Sequence, residues 1–173
     1  QANSVSESEK PTVLITGANR GLVLEFARQY ESDGWNVIGT ARNPGRADEL
    51  KSLSVEIATL DVAYPASVAA LASSLEGRPI DLLINNAGIV PRVSSIEAID
   101  FDDYSRTLAV NTVGPVRVTR ALLPNLRASD RKTVVNITSR LGSIALTDNG
   151  VFYGYRESNA AVNLFKRTLA NEL

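Results

Sequence analysis

The chain has 173 residues, 44% of them hydrophobic and 21% charged, which is the make-up of one ordinary globular domain. Its formal net charge is -1, so no general attraction to nucleic acid or an acidic membrane is expected. Cys and His are both absent, which excludes disulfides, thiolate nucleophiles, His-based triads and Cys/His zinc sites.

Residues 1–11 are rich in Ser, Glu and Lys and end in Pro11; they read as a flexible lead-in. The apolar run 12–16 predicts a short buried strand, Gly17 to Gly21 a turn, and 22–32 an apolar-periodic helix that Gly34 stops. A second strand follows over 35–41, then a turn at Asn43-Pro44-Gly45. A third strand spans 55–60 and ends at Asp61, followed by a helix over 68–75. A fourth strand spans 80–84 and is broken by Asn85-Asn86-Ala87-Gly88. A long helix is expected over 102–126, kinked at Gly114-Pro115 because proline removes a backbone hydrogen bond. A fifth strand covers 133–138, and a last helix covers 152–173.

Short apolar strands alternating with longer helices imply an α/β fold, a Rossmann-like doubly wound parallel sheet in three α/β/α layers. Right-handed crossovers restrict the topology further. Residues 12–173 read as one dinucleotide-binding domain, without repeats or a second domain. No apolar run approaches the ~18 residues of a membrane span, and no acidic cluster suggests a metal site. Met is absent, so Gln1 reads as a trimmed or processed start. The expectation is cytoplasmic; Gln1-Ala2-Asn3 is compatible with signal cleavage, which keeps export as the alternative.

Ligands of such sheets sit beyond the carboxyl ends of the strands. Those ends carry Gly17, Arg42, Asp61, Asn85 and Ser139. In Thr16-Gly17-Ala18-Asn19-Arg20-Gly21, glycine permits a sharp turn and close backbone approach. The helix start offers unpaired N–H groups to a pyrophosphate; a purely structural turn is the competing reading. An acid ending strand two would hold an NAD ribose and repel a 2′-phosphate. Ala41 stands there, followed by Arg42, and Arg20 lies in the glycine turn. Two guanidinium groups suit a 2′-phosphate, so NADP is expected over NAD. The alternative leaves both arginines merely solvated.

These residues carry a family resemblance. Thr16 to Gly21 resembles the first half of the T-G-x-x-x-G-x-G motif of short-chain dehydrogenases/reductases, and Asn85 to Gly88 matches that family's N-N-A-G. Asp61-Val62 resembles its adenine-contacting Asp-Val, and Asn111 its helix-four Asn. Val135 to Ser139 resembles its strand-five Ser segment, and Tyr155 to Asn163 resembles Y-x-x-S-K-A-A-x-N. The local wording is most similar to the carbonyl-reductase-like branch. The resemblance implies hydride transfer between NADP(H) and a small-molecule carbonyl or secondary alcohol. It places the cofactor on Gly17, Asn19, Arg20, Gly21, Leu22, Arg42, Asp61, Val62, Asn86, Ala87 and Gly88. Tyr155 would be the general acid/base, Ser139 would orient the carbonyl and Asn111 would support a proton relay. Tyr153 and Ser143 are the runners-up, and Ser139 also suits an ordinary turn. The family's helices corresponding to about 102–126 and 152–172 commonly form a dimer interface, which implies a homodimer or homotetramer.

Three departures stand out. Asn159 occupies the place of the family's Lys, which favours phenolate and holds the ribose. Asn159 shares a helix face with Tyr155 and should reach the ribose, but it carries no charge. Arg156 and Lys166 lack the spacing to replace that Lys. Val23 stands at the third motif glycine, so a displaced helix or weaker cofactor binding is expected. The chain also stops before the family's last strands and substrate-covering segment, leaving Arg140, Leu141 and Ile144 as the available substrate-side residues. The alternative to an oxidoreductase is therefore a degenerate member that binds nucleotide, or only a protein partner.

Overall fold

The computed structural model describes residues 10–19 and 21–173. Five strands form one parallel sheet: β1 (Thr12–Ile15), β2 (Asn36–Ala41), β3 (Glu56–Thr59), β4 (Leu82–Asn85) and β5 (Thr133–Asn136). Their spatial order is β3-β2-β1-β4-β5. Val13 lies opposite Val37 on one side and Leu82 on the other, so β1 is central.

The inner strands β1, β2 and β4 are buried almost throughout because both faces are covered, whereas the edge strands β3 and β5 are partly exposed. Val13 and Ile15 of β1 and Leu82 and Ile84 of β4 point into one layer, with Val23, Leu24 and Ala27 of α1 (Gly21–Ser32). Leu14 and Leu83 point the other way, toward Val68 and Leu71 of α3 (Pro65–Ser74) and Val118 of α5 (Gly114–Ala121). Each fully buried Leu or Ile contributes about 1.5–3 kcal/mol. Those two cores fix the three-layer order that the sequence implies. A short helix, α2 (Asp48–Lys51), closes the first layer through buried Leu50.

The observed boundaries refine the sequence reading. Each strand is one or two residues shorter than expected, β4 includes Asn85 rather than ending before it, and the helix expected from 68 begins at Pro65, where a proline suits the first turn. The long helix is broken into α4 (Phe101–Leu108), a π turn (Ala109–Val113), α5 and α6 (Leu123–Arg127). Pro115 has no N–H to offer to the carbonyl of Asn111, and the Gly114 N–H reaches back five residues to Ala109. Pro124 starts α6 in the same way. The last helix, α7, runs over Tyr155–Leu169 rather than 152–173. Phe152 (φ 62) and Gly154 (φ 79) take left-handed conformations that no helix can include. Of the expected lead-in, residues 1–9 lie outside the described residues; Pro11 is held to β2 by the Asn36 N–H at 2.8 Å.

Candidate active site

β1 and β4 are neighbours, yet the chain leaves them toward opposite layers, α1 on one face and α5 on the other. A crevice opens where they diverge. It is a cleft of about 1060 Å³, lined by Gly17, Asn19, Gly21, Leu22, Arg42, Asp61, Val62, Asn86, Ala87, Gly88, Asn111, Tyr155 and Asn159. The fold thus brings together nearly all the residues singled out from sequence. Arg20 lies outside the described residues. Ser139 is not part of the lining, but its N–H donates to the lining residue Asn159 at 3.1 Å.

At the first turn, Gly17 has φ +65, and a Cβ there would sit 3.0 Å from the Ala87 Cα. The ends of β1 and β4 therefore meet backbone to backbone. The buried Thr16 hydroxyl locks this contact by accepting the N–H groups of Asn86 (3.0 Å) and Ala87 (3.1 Å). The Asn86 amide donates back to the Thr16 and Gly17 carbonyls, and the Ala18 N–H donates to Thr40 O at 2.9 Å. Thr16→Val would leave two donors without their acceptor. It is expected to lower stability by about 2–4 kcal/mol, readable from urea unfolding; a loss under 1 kcal/mol would contradict the lock.

At the β3 end, one Asp61 carboxylate oxygen accepts the Ala63 N–H at 3.0 Å, and the Asp61 N–H donates to Ser67 Oγ at 2.9 Å. Arg42 and Arg46 line the cleft nearby, and neither side chain bonds to another described residue. Sequence reasoning missed Arg46. The signal lay in the Asn43-Pro44-Gly45 turn: Asn43 Oδ1 accepts the Gly45 N–H at 3.1 Å and starts a 3-10 turn ending at Arg46. With Arg106 also in the lining, three arginines stand against the single acid Asp61.

At the other end, the π turn presents Asn111. Its amide donates to the Ile89 carbonyl (2.8 Å) and accepts the Ile89 N–H (2.9 Å), clasping the chain just after Gly88. It also donates to Ser158 Oγ at 3.2 Å, which ties it to α7. Asn159, buried on α7, donates to the Tyr155 carbonyl at 2.8 Å and accepts from Ser139 at 3.1 Å. Its amide is thus a strut between helix and turn. Gly142 makes room for it: a Cβ there would lie 2.6 Å from the Asn159 Cβ. Ser139 Oγ accepts the Leu141 N–H at 3.1 Å and opens a 3-10 turn, the turn role open to it from sequence, while its own hydroxyl proton remains available. Val23 is buried in the α1 core cluster and also borders the cleft, so its side chain serves the core first.

Beside the site, Tyr104 donates to Glu157 at 3.4 Å, and Glu157 accepts the Gly154 N–H at 2.7 Å. Burial first, and the Glu157 carboxylate second, push the Tyr104 phenol above its usual range. A second cleft of about 1010 Å³ lies at the opposite, N-terminal edge. Its polar groups hold that edge together: Asp81 accepts from Thr12 N and Ser129 Oγ at 2.7 Å each, and Arg131 lies over the Trp35 ring. Among the described residues, no helix is long and apolar enough to cross a membrane, and no acidic cluster could hold a metal.

Known proteins share this fold. The family model described as short chain dehydrogenase matches residues 11–173. The structure resembles carbonyl reductase Sniffer of D. melanogaster with a TM-score of 0.86 and 29% identity, over 95% of this chain and 75% of that one. It resembles the NADPH-bound carbonyl reductase from chicken fatty liver with a TM-score of 0.81 and 33% identity, over 92% and 69%. The C-signal protein of Myxococcus xanthus is 40% identical over 104 residues, 60% of this chain and 63% of that protein. The chain spans between about half and two-thirds of the length of the curated relatives it matches. The parallel sheet and its flanking helices agree with that match, and the chain belongs to the short-chain dehydrogenase/reductase family, on its carbonyl-reductase-like branch.

Proposed function

We propose that the chain binds NADP(H) in this cleft and transfers hydride between the nicotinamide and a carbonyl or secondary alcohol. The observation that carries the reading is the single cleft lined by the Gly17–Leu22 turn at one end and by Asn111, Tyr155 and Asn159 at the other. The residues present fit a dinucleotide. Gly17 allows backbone approach without a side chain, and the start of α1 offers amides to the phosphates. Arg42, joined by Arg46, meets a 2′-phosphate with uncommitted guanidinium groups, and Asp61 receives the adenine amino group.

The cofactor supplies the hydride. Tyr155 gives the proton to the carbonyl oxygen, or takes it from the alcohol, and Ser139 donates a hydrogen bond that orients that oxygen. Asn111 holds the Ile89 backbone and α7 in register, and Asn159 fixes Ser139 relative to Tyr155. A second reading, nucleotide binding without turnover, is favoured by one observation: the Asn159 amide is uncharged and engaged on the protein. Self-association as a homodimer or homotetramer would use α4–α5 and α7, which expose Phe101, Val113 and Leu164.

Fluorescence titration tests the binding half. NADPH is expected to bind at least about tenfold more tightly than NADH, the worth of a charge-assisted pair. Arg42→Glu is expected to reverse that order. Tighter NADH binding by the unaltered chain would overturn the NADP assignment. Turnover on a panel of ketones and aldehydes then separates the oxidoreductase from the silent binder.

A further inference from the structure

The residue after Tyr155 is bonded away from the cleft. Arg156 Nε donates to the Val151 carbonyl at 2.7 Å, Nη2 to Asn149 Oδ1 at 2.8 Å and Nη1 to the Leu141 carbonyl at 3.5 Å. All three acceptors belong to residues 141–151, the segment joining the Ser139 turn to α7. One guanidinium therefore gathers both ends of that segment. Next to it, the Phe152 N–H donates to the Val93 carbonyl at 2.7 Å, and Val93 belongs to the stretch after β4. Phe152 holds φ 62, a conformation a bulky residue keeps only when its surroundings impose it. Its ring lies 6.4 Å from that of Tyr155, tilted by 60°. Between these anchors the tip is open, with Ile144 87% and Leu146 60% exposed.

We propose that Arg156 is a positioning residue that latches residues 141–151 as a strap beside Tyr155, and that the latched strap presents Phe152 as a fixed wall against the substrate. The wall rests on the functional reading above; the latch does not. Arg156 directs its guanidinium to the strap, with three of its five N–H donors committed there, and it is not among the residues that line the cleft. Lys offers one compact donor group and cannot span three acceptors as the planar fork does.

Thermolysin digestion of the whole chain, with cuts mapped by mass spectrometry, tests the latch. Arg156→Gln is expected to speed cleavage within 143–150 by about tenfold or more, with Arg156→Lys failing to restore the slow rate. The melting temperature should move by only a few degrees, and NADPH affinity should stay within about twofold, since the phosphates lie at the other end of the cleft. Should Arg156→Gln fail to fold, Asn149→Ala removes one latch point and is expected to speed cleavage about threefold. Unchanged cleavage in whichever of these variants folds overturns the latch. Phe152→Gly suits φ 62 better than Phe and is expected to keep stability while raising the KM for an apolar ketone several-fold more than it lowers kcat; an unchanged KM overturns the wall. Cleavage needs no cofactor, so failure of the unaltered chain to bind NADPH would defeat the functional reading and leave the latch standing.

Discussion

Asn159→Lys is expected to raise carbonyl turnover by about 100-fold, within the range of one well-placed acid/base contribution. Position 159 lies one helical turn after Tyr155 on the same face of α7 and borders the cleft. A cation there favours the phenolate form of Tyr155 and offers a donor to the ribose, and Asn supplies no charge. The exchange has a structural cost. Lys cannot accept the Ser139 N–H that Asn159 now accepts at 3.1 Å, which costs about 1 kcal/mol. Gly142 packs directly against the Asn159 Cβ, so the longer side chain must extend toward the cleft that position 159 lines. Val23→Gly in the same chain is expected to add to the gain by clearing the cleft border. It also removes a buried core side chain and places glycine in a helix, at roughly 2–4 kcal/mol together, so rates must be compared well below the melting temperature. No gain in a folded double variant would contradict the placement of the active site.

Gly17→Val is expected to weaken NADPH binding by about 100-fold or more. Two effects act together. A branched residue is forced into φ +65, and its Cβ meets the Ala87 Cα at 3.0 Å and the Ala87 N at 3.3 Å. Both neighbours are backbone atoms locked to Thr16, so neither can swing aside. The turn must move away from β4, carrying the α1 amides with it. Gly34→Val is the control: Gly34 has φ +81 and open space around its position. It should lose stability through strain alone and keep NADPH affinity within about twofold. Equal NADPH affinity in the Gly17 variant and the unaltered chain, by fluorescence titration, would contradict the assignment of the turn.

The sheet was legible because its inner strands are short apolar runs ended by a polar or glycine residue, and both layers of helices show their buried faces at helical spacing. Gly17, Arg42, Asp61 and Asn85 were legible because the fold places them at strand ends, whereas Asn111, Tyr155 and Asn159 were legible only through the motifs that resemble the family. What the sequence hid were consequences of pairing at a distance. The π turn at Ala109–Val113 follows from Pro115, but its use, aiming Asn111 at Ile89, depends on contacts 22 residues apart. Asn159 was visible as a missing charge, whereas its role as a strut depends on the Ser139 N–H, 20 residues earlier. α7 starts later than the expected 152 because Phe152 and Gly154 hold positive φ and the Phe152 N–H pairs with the distant Val93 carbonyl, which local pattern does not record.

The cleft between β1 and β4 is expected to hold a dinucleotide with its phosphates on the opening of α1. A crystal of the chain soaked with NADP tests it most directly. The expected result is pyrophosphate density against the backbone of residues 17–22, a 2′-phosphate beside Arg42, and the nicotinamide next to Tyr155. An empty cleft at saturating NADP, or a nucleotide bound elsewhere with the Val23 side chain occupying the phosphate position, would contradict it.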